Sequence, residues 1–325
     1  MAGEWRADAP GGRPRRGAGR AGGPAAPGNS FESALVTPFL ARMERFASVE
    51  STQAVVAGWL NAGVGEVAVA VADSQTHGRG RLGRRWEAPP GSSLLVSCGF
   101  RPTWLAAPHG WRLGAIVALS MLDAAEETAG LAAGTLGLKW PNDLATEGSD
   151  GSLRKLGGIL GEATLEATPD ATPETTPETS PTRVASAVIG AGVNVAWPRA
   201  SFPTDLAPSM TSLLELAGGR PVDRDSLLDA FLDHLEPRYE ALRSGWFDQG
   251  AWWARQLLTN RLVTVAVGGT IVEGEAAGVD PESGALLVET AAVGGATAAE
   301  GRAAGPGQSR LVAIDSGEVT SCRLR

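Results

Sequence analysis

The stretch Gln-Thr-His-Gly-Arg-Gly-Arg-Leu-Gly-Arg-Arg-Trp, residues 75–86, places four arginines and three glycines within nine positions from Gly78. Guanidinium groups at this spacing repel one another unless anions lie between them, and glycines allow the backbone to turn and to approach a ligand closely. A disordered Arg-Gly segment that binds RNA is the alternative. Such segments usually repeat, whereas this one follows an apolar, strand-like run and is not repeated. The stretch therefore predicts a loop that holds a small anionic ligand.

Strands and helices are predicted on both sides of this loop. Val67, Val69 and Val71 alternate within residues 66–72, which is the period of a strand, and residues 93–100 form a second strand. Other segments carry similar patterns, with strands at residues 135–140, 155–162 and 184–195 and helices at residues 111–128 and 223–245. The helix at 111–128 is expected to cover a sheet that supports the arginine loop.

Composition limits the class of protein. The chain has 325 residues, 43% of them hydrophobic, and a net charge of −8. Residues 1–30 carry five arginines against two acids, so the rest of the chain carries −11, which argues against general nucleic-acid binding by the body. Two cysteines imply no disulfide framework. Because no run of about 18 apolar residues is present, we expect a protein of the cytoplasm with no membrane segment.

Changes in composition along the chain indicate its domains. Residues 1–30 are rich in Gly, Ala, Pro and Arg and predict a disordered tail. In residues 166–182, Thr-Pro or Ser-Pro recurs every four residues among acids, which predicts a disordered insert in a hairpin. Five short strands separated by Gly-rich turns predict a small barrel at residues 259–325. The largest predicted domain, residues 31–258, lies between the tail and the barrel.

Two other motifs bear on function. Lys139-Trp140-Pro141-Asn142-Asp143 ends a strand, and the proline predicts that Asn142 and Asp143 are turn residues. Taken alone, this motif is equally well explained as a surface loop. The Gly-x-Gly of residues 190–192 resembles part of a dinucleotide fingerprint, but the third glycine and the following helix are missing, so a Rossmann fold is rejected.

Five stretches together resemble one family, the biotin protein ligases. They are Ser51-Thr52-Gln53, Gln75 with residues 78–84, residues 139–143, residues 155–160 and residues 189–194. The resemblance covers most of residues 46–325 and implies an α+β fold. Its catalytic domain, like the class II synthetases, has a mixed, mainly antiparallel central sheet with flanking helices. A small C-terminal β-barrel resembling a Src-homology-3 domain follows it.

The resemblance also implies a reaction. Biotin and ATP give biotinyl-5'-AMP and pyrophosphate, and a lysine of a biotin carboxyl carrier protein then attacks the mixed anhydride. A carboxylate must approach the α-phosphate, and the cationic loop is suited to reduce their repulsion. The first step needs no general base because the carboxylate is already ionised at neutral pH. The residues do not identify the group that accepts the proton of the attacking lysine.

Site roles follow from the same resemblance. The implied catalytic residues are Lys155, Arg81 and Arg79. The implied biotin contacts are Ser51, Thr52, Gln53, Gln75, Arg79, Gly80, Arg81, Lys155 and Gly157. The implied ATP contacts are Arg81, Arg84, Trp86, Lys139, Asn142, Asp143 and Asn194, with Asp143 also the candidate to hold Mg²⁺.

One residue departs from the family, and two other functions were considered. Gln53 stands where the family commonly has Asn, and its side chain is one methylene longer with the same donors and acceptors. A lipoate or octanoate ligase is the enzymatic alternative, since that family shares the implied fold. A DNA-binding regulator is the other, but residues 1–30 do not resemble a helix-turn-helix module, so no DNA partner is expected.

Overall fold

The computed structural model describes residues 39–167, 182–291 and 309–324. The predicted tail at residues 1–30 lies outside the described residues, as does the predicted insert apart from its ends. Those ends belong to a hairpin, because Glu166 and Ala167 continue one strand and Thr182 begins the next.

The first sheet has seven strands in the order β1-β2-β3-β7-β6-β5-β4, and among their pairings only β1–β2 is parallel. Its strands are β1 Arg42–Phe46, β2 Ala68–Ala72, β3 Ser93–Phe100, β4 Leu136–Lys139, β5 Asp143–Glu147, β6 Leu153–Ala167 and β7 Thr182–Asn194. The helices are α1 Thr52–Asn61, α2 Trp111–Ala129, α3 Leu213–Leu216, α4 Arg224–Arg243 and α5 Gln249–Ala254. The predicted α+β class with a mainly antiparallel central sheet is confirmed.

Helices cover both faces of this sheet. On one face, Ala70 packs with Val56 and Leu60 of α1. Its neighbours Val69 and Val71 point to the other face and join the main core with α2 and α4. All five residues of β2 are therefore buried, which explains why this strand is apolar at every position.

The second sheet consists of β8 Leu262–Val267, β9 Thr270–Val279, β10 Leu286–Thr290, β11 Arg310–Ile314 and β12 Glu318–Arg323. All its pairings are antiparallel, in the order β11-β10-β9-β8-β12. Among the described residues β11 and β12 do not pair with each other, so hydrogen bonds do not close this sheet; the predicted C-terminal unit of five short strands is confirmed.

A partly buried ionic network holds the edge strand β4 against α2. Arg255 follows α5, and its guanidinium donates to Glu126 Oε1 at 2.7 Å, to Asp123 Oδ1 at 2.7 Å and to the carbonyl of Leu136 at 2.9 Å. Its backbone carbonyl accepts from Leu138 N at 2.7 Å. Burial raises the pKa of Glu126, but the hydrogen bonds and charge of Arg255 outweigh burial and hold that pKa below its ordinary value.

No helix in the described ranges has both the length and the apolar character needed to cross a membrane.

Candidate active site

The arginine loop folds as a small hairpin. Trp86 N donates to the Gly78 carbonyl at 3.0 Å, and Gly80 N donates to the Arg84 carbonyl at 2.7 Å. Leu82 and Gly83 turn the chain with φ of 57° and 73°. A Cβ at Gly78 would lie 2.3 Å from the carbonyl oxygen of Trp86, so only glycine permits this closure.

Carboxylates of the protein lie beside the loop arginines. Arg79 pairs with Glu162 of β6 at 3.0 Å, and Arg84 pairs with Glu318 of β12 at 2.5 Å. Arg81 donates to the backbone carbonyl of Gly317 at 3.2 Å. The predicted need for anions among these guanidiniums is thus met by the protein's own groups. Both ion pairs are substantially exposed, so each contributes at most ~1 kcal/mol to stability.

Glycines of the two central strands form the floor of a cleft beneath the loop. The Trp86 indole lies on Gly192, where an added Cβ would come within 2.7 Å of the ring. Lys155 Nζ lies 5.6 Å from the centroid of the same ring, on the adjacent strand. Trp86 Nε1 is buried and has no hydrogen-bond partner in the described part of the chain. The floor therefore carries a flat aromatic ring, that of Trp86, with the cation of Lys155 near it.

Amide side chains line one end of the cleft, at the start of α1. Gln75 Oε1 accepts from Thr52 N at 2.8 Å and from Thr52 Oγ1 at 3.1 Å, so Gln75 satisfies a free N–H of the first helical turn. Gln53 Nε2 donates to the carbonyl of Leu160 at 3.2 Å, and the Gln53 side chain packs on Gly190. Gln53 is only 5% exposed, which leaves its extra methylene packed against the floor.

A turn between β4 and β5 forms the opposite end. Asn142 Nδ2 donates to the carbonyl of Ile159 at 2.9 Å, and Ile159 N donates to the carbonyl of Asn142 at 2.9 Å. Asp143 begins β5, so the prediction that it is a turn residue was wrong, and strand β5 was not predicted. Asp143 Oδ1 lies 2.6 Å from Lys155 Nζ. This pairing brings the two motifs together although they come from different strands.

Twelve of the fifteen predicted site residues line this one cleft. They are Thr52, Gln53, Gln75, Arg79, Gly80, Arg81, Arg84, Trp86, Lys139, Asn142, Asp143 and Lys155. The other three do not line it. Ser51 is the buried N-cap residue of α1, but its side chain makes no capping bond and its Oγ has no hydrogen-bond partner among the described residues. A Cβ at Gly157 would lie 2.5 Å from the Gly192 carbonyl oxygen, so Gly157 permits close strand pairing. Asn194 is 1% exposed and donates to the Thr211 carbonyl at 3.0 Å.

Sequence reasoning missed several residues of the cleft. Leu160 of β6 lines the cleft, and Glu162, two positions further along the strand, pairs with Arg79 in the neighbouring pocket, so strand alternation could have placed both on one face. Glu318 and Val319 come from the second sheet and have no local signal that connects them with the loop. Within the described ranges, no cluster of three or more His, Cys, Asp or Glu side chains could hold a metal ion.

The structure is an α+β domain whose cationic loop lies over a floor of glycines. Comparison with known proteins identifies the family of proteins that share this arrangement. Residues 46–172 match the Biotin/lipoate A/B protein ligase family. The chain is 32% identical over 246 residues to the bifunctional ligase/repressor BirA of Bacillus subtilis, covering 74% of this chain and 67% of that protein.

Two further similarities agree. The biotin--[acetyl-CoA-carboxylase] ligase of Mycobacterium tuberculosis is 32% identical over 232 residues, which is 70% of this chain and 74% of that protein. The biotin protein ligase of Aquifex aeolicus, solved with biotin and ATP, has the same fold, with a TM-score of 0.63, 24% identity and coverage of 87% of this chain and 99% of that one. The chain belongs to the biotin/lipoate ligase family, and within it to the biotin protein ligases.

Proposed function

We propose that the protein attaches biotin to a lysine of a carrier domain, using ATP and passing through biotinyl-5'-AMP. The observation that carries this proposal is the single cleft in which amide groups, a cationic centre and an aromatic floor meet. These three parts correspond to the polar ring, the reacting carboxylate and phosphate, and the adenine of the two substrates.

The first step joins two anions. A biotin carboxylate oxygen forms a bond to the α-phosphorus, while the bond from that phosphorus to the β-phosphate oxygen breaks and pyrophosphate leaves. Lys155, Arg79 and Arg81 are the residues that we assign to these charges, with Lys155 closest to the reacting oxygens. Exposed carboxylate partners hold Arg79 and Arg84, so incoming anions can replace those partners at small cost.

Contacts with each substrate are assigned by position. We place the polar ring of biotin at Thr52, Gln53 and Gln75, and the biotin chain along Gly80. We place the adenine on Trp86, whose unpartnered Nε1 is a spare donor. Arg84, Lys139 and Asn142 then face the ATP phosphates. Gly157 and Asn194 are not assigned ligand contacts, because close strand pairing and the bond to Thr211 account for them. Ser51, whose buried Oγ has no partner in the described residues, stays assigned to biotin beside Thr52.

Magnesium is proposed to enter as part of the MgATP substrate. Asp143 lies at the nucleotide end, but its Oδ1 already pairs with Lys155, and the described residues offer no group of metal ligands around it. Mg²⁺ commonly binds through one or two carboxylates together with substrate phosphates and waters. Asp143 therefore fits an ion that the phosphates bring, and does not fit a metal that the protein retains by itself.

The second step needs access for a carrier lysine, whose nitrogen forms a bond to the acyl carbon as the bond to AMP breaks. The pairing of β6 with β5 ends at Gly158, whereas its pairing with β7 continues to Ala167. The β6 edge beyond Ile159 thus has no strand partner in the described residues, and it leads out of the cleft beside Arg79 and Glu162. We infer that the carrier segment reaches the cleft along this edge.

Incubation with MgATP and each of biotin, lipoate and octanoate tests the proposal. Of the three acids, only biotin is expected to give pyrophosphate release. When a biotin carboxyl carrier domain is added, its mass should rise by one biotinyl group. Release with lipoate or octanoate but not with biotin would support the ligase of that other substrate class and contradict the proposal.

A further inference from the structure

We propose that the turn at residues 280–284 of the second sheet positions the nucleotide end of the cleft through the indole of Trp140. Trp140 is thereby a positioning residue for the reaction, and the β9–β10 turn is part of the machinery that places ATP. This inference rests on the proposed function, because it assigns the nucleotide to the end of the cleft that Trp140 supports.

Trp140 connects the two sheets at a buried point. Its side chain is 3% exposed, and Nε1 donates to the backbone carbonyl of Gly284 at 3.1 Å. In sequence it stands between Lys139 and Asn142, both of which line the cleft. A buried indole N–H without an acceptor is unfavourable, so the indole is expected to follow the Gly284 carbonyl.

The turn that carries Trp140 is held from two sides. On one side, Asn142 exchanges two hydrogen bonds of 2.9 Å with Ile159 of β6. On the other side, the side chain of Trp140 makes its one hydrogen bond within the described residues to the carbonyl of Gly284. Lys139 and Asp143 are register partners at the ends of β4 and β5, directly flanking this turn. A shift of the Gly284 carbonyl therefore moves both of these charged residues relative to the floor of the cleft.

The β9–β10 turn is itself well ordered by internal bonds. Asp280 Oδ1 accepts from Ser283 N at 2.7 Å, from Glu282 N at 2.9 Å and from Ser283 Oγ at 3.1 Å. Gly284 closes the turn with φ of 75°, and its N–H donates to the Asp280 carbonyl at 2.8 Å. These bonds to the charged carboxylate hold the pKa of Asp280 below its usual range.

The turn is also fixed to the helix that covers the first sheet. Trp111 Nε1, at the start of α2, donates to the carbonyl of Glu282 at 3.1 Å, and Arg112 donates to the carbonyl of Pro281 at 3.3 Å. Arg112 also pairs with the Glu282 carboxylate at 3.1 Å. The Gly284 carbonyl thus has a defined place relative to the catalytic domain, as a positioning element requires. Misplacement of reacting groups by ~1 Å can cost about 10²-fold in rate.

Steady-state kinetics of pyrophosphate release by the full chain tests this inference with Asp280→Ala and Trp140→Phe. Asp280 does not line the cleft, so it acts only through the turn, whereas Trp140→Phe removes the indole donor directly. We expect each variant to raise the KM for ATP by roughly three- to tenfold and to leave the KM for biotin within about twofold of wild type. The double variant should be no worse than the more severe single variant, because both changes break one connection.

Three controls separate positioning from a loss of stability. Asp223→Ala removes an equivalent carboxylate, which accepts from Ser226 N and Oγ at 2.8 Å at the start of α4, and should leave both KM values unchanged. Asp280→Asn keeps an oxygen acceptor and should recover most of the ATP affinity. Thermal unfolding identifies any variant that does not fold. If Trp140→Phe does not fold, the KM values of Asp280→Ala and Asp280→Asn test the inference.

Unchanged KM for ATP in folded Asp280→Ala, equal changes in both KM values, or additive effects in the double variant would overturn the inference. Failure of the proposed function has a different signature, since the wild-type protein would then release no pyrophosphate with biotin.

Discussion

The arginine loop and the turn at residues 140–142 both line the cleft, and they are held in opposite ways. The loop has exposed ion pairs with Glu162 and Glu318 and a leucine in the left-handed region at its tip. The turn has paired backbone and side-chain bonds to Ile159 and a buried indole bond to Gly284. The arginine loop is thus weakly held, whereas the turn is fixed before substrates bind. Substrates can therefore rearrange the loop at small cost.

The largest expected effect comes from removing the support of β4. In Arg255→Met, Glu126 loses its guanidinium partner while only 4% exposed. We expect a loss of about 3–5 kcal/mol in the free energy of unfolding, because an uncompensated buried charge remains. Urea denaturation measures it. Arg243→Met removes an exposed arginine whose contact with Glu240 is 3.9 Å, and should change stability by no more than about 0.5 kcal/mol. Equal losses in both variants would contradict the structural role of Arg255.

Next in size is the effect of Lys155→Ala on the chemistry. Removal of the cation that pairs with Asp143 at 2.6 Å should lower the rate of biotin-dependent pyrophosphate release by about 10²–10³, or ~3 kcal/mol of barrier. Arg154→Ala, the adjacent position on β6, is the matched control because Arg154 is directed to Glu215. Wild-type turnover in Lys155→Ala would remove Lys155 from the reaction.

Acid should weaken the support that Glu126 and Arg255 give to strand β4. The pKa of Glu126 is lowered in the folded protein, so its contribution to stability is present above the ordinary glutamate value of 4.5 and is lost as the pH falls through and below that value. In Glu126→Gln this contribution is absent at every pH. The free energy of unfolding should therefore fall less steeply with acid in the variant than in wild type, as denaturation series at several pH values would reveal. Identical slopes would show that Glu126 is not stabilised as an anion.

A smaller effect is expected at the floor between the two regions. In Gly192→Ala the new methyl would lie 2.7 Å from the Trp86 ring, so the indole must move away from the floor. The KM for ATP should rise by about fivefold, or ~1 kcal/mol. Gly161→Ala places its methyl 3.0 Å from the terminal methyl of Ile189, a side-chain atom that can yield, and serves as the control. A KM that changes equally in both variants would argue against adenine on Trp86.

The smallest expected effect is that of Glu318→Gln on the loop. Loss of this exposed ion pair should change stability by less than about 1 kcal/mol, and salt should reduce the difference further. Hydrogen exchange separates the two regions: amides of residues 78–86 should exchange faster in the variant and more slowly with biotin and ATP bound. Amides of residues 139–143 should change little in either case. Equal protection of the loop with and without substrates would contradict its proposed rearrangement.

Much of the fold was predictable from local patterns. Residues 93–100 form a strand with the predicted bounds, and the helix predicted at residues 111–128 is α2, Trp111–Ala129, which is capped by Gly130 in the left-handed conformation. Strand β5 was missed because its start overlaps the Pro-Asn-Asp turn signal. The five short strands of the second sheet were also predicted, whereas their order in the sheet depends on pairing between distant strands, which no local pattern reports.

By itself, the sequence determined which residue types the protein brings to the cleft: the arginines, Lys139 and Lys155, the amides and Trp86. Periodicity and turn chemistry act over a few residues, so they also determined most helices and strands. Only the tertiary structure decided that Glu318 lies beside Arg84, that Asn194 donates to the Thr211 carbonyl, and that Trp140 joins the turn to Gly284. These contacts link residues far apart in the chain, and packing between two sheets, which no short segment encodes, creates them.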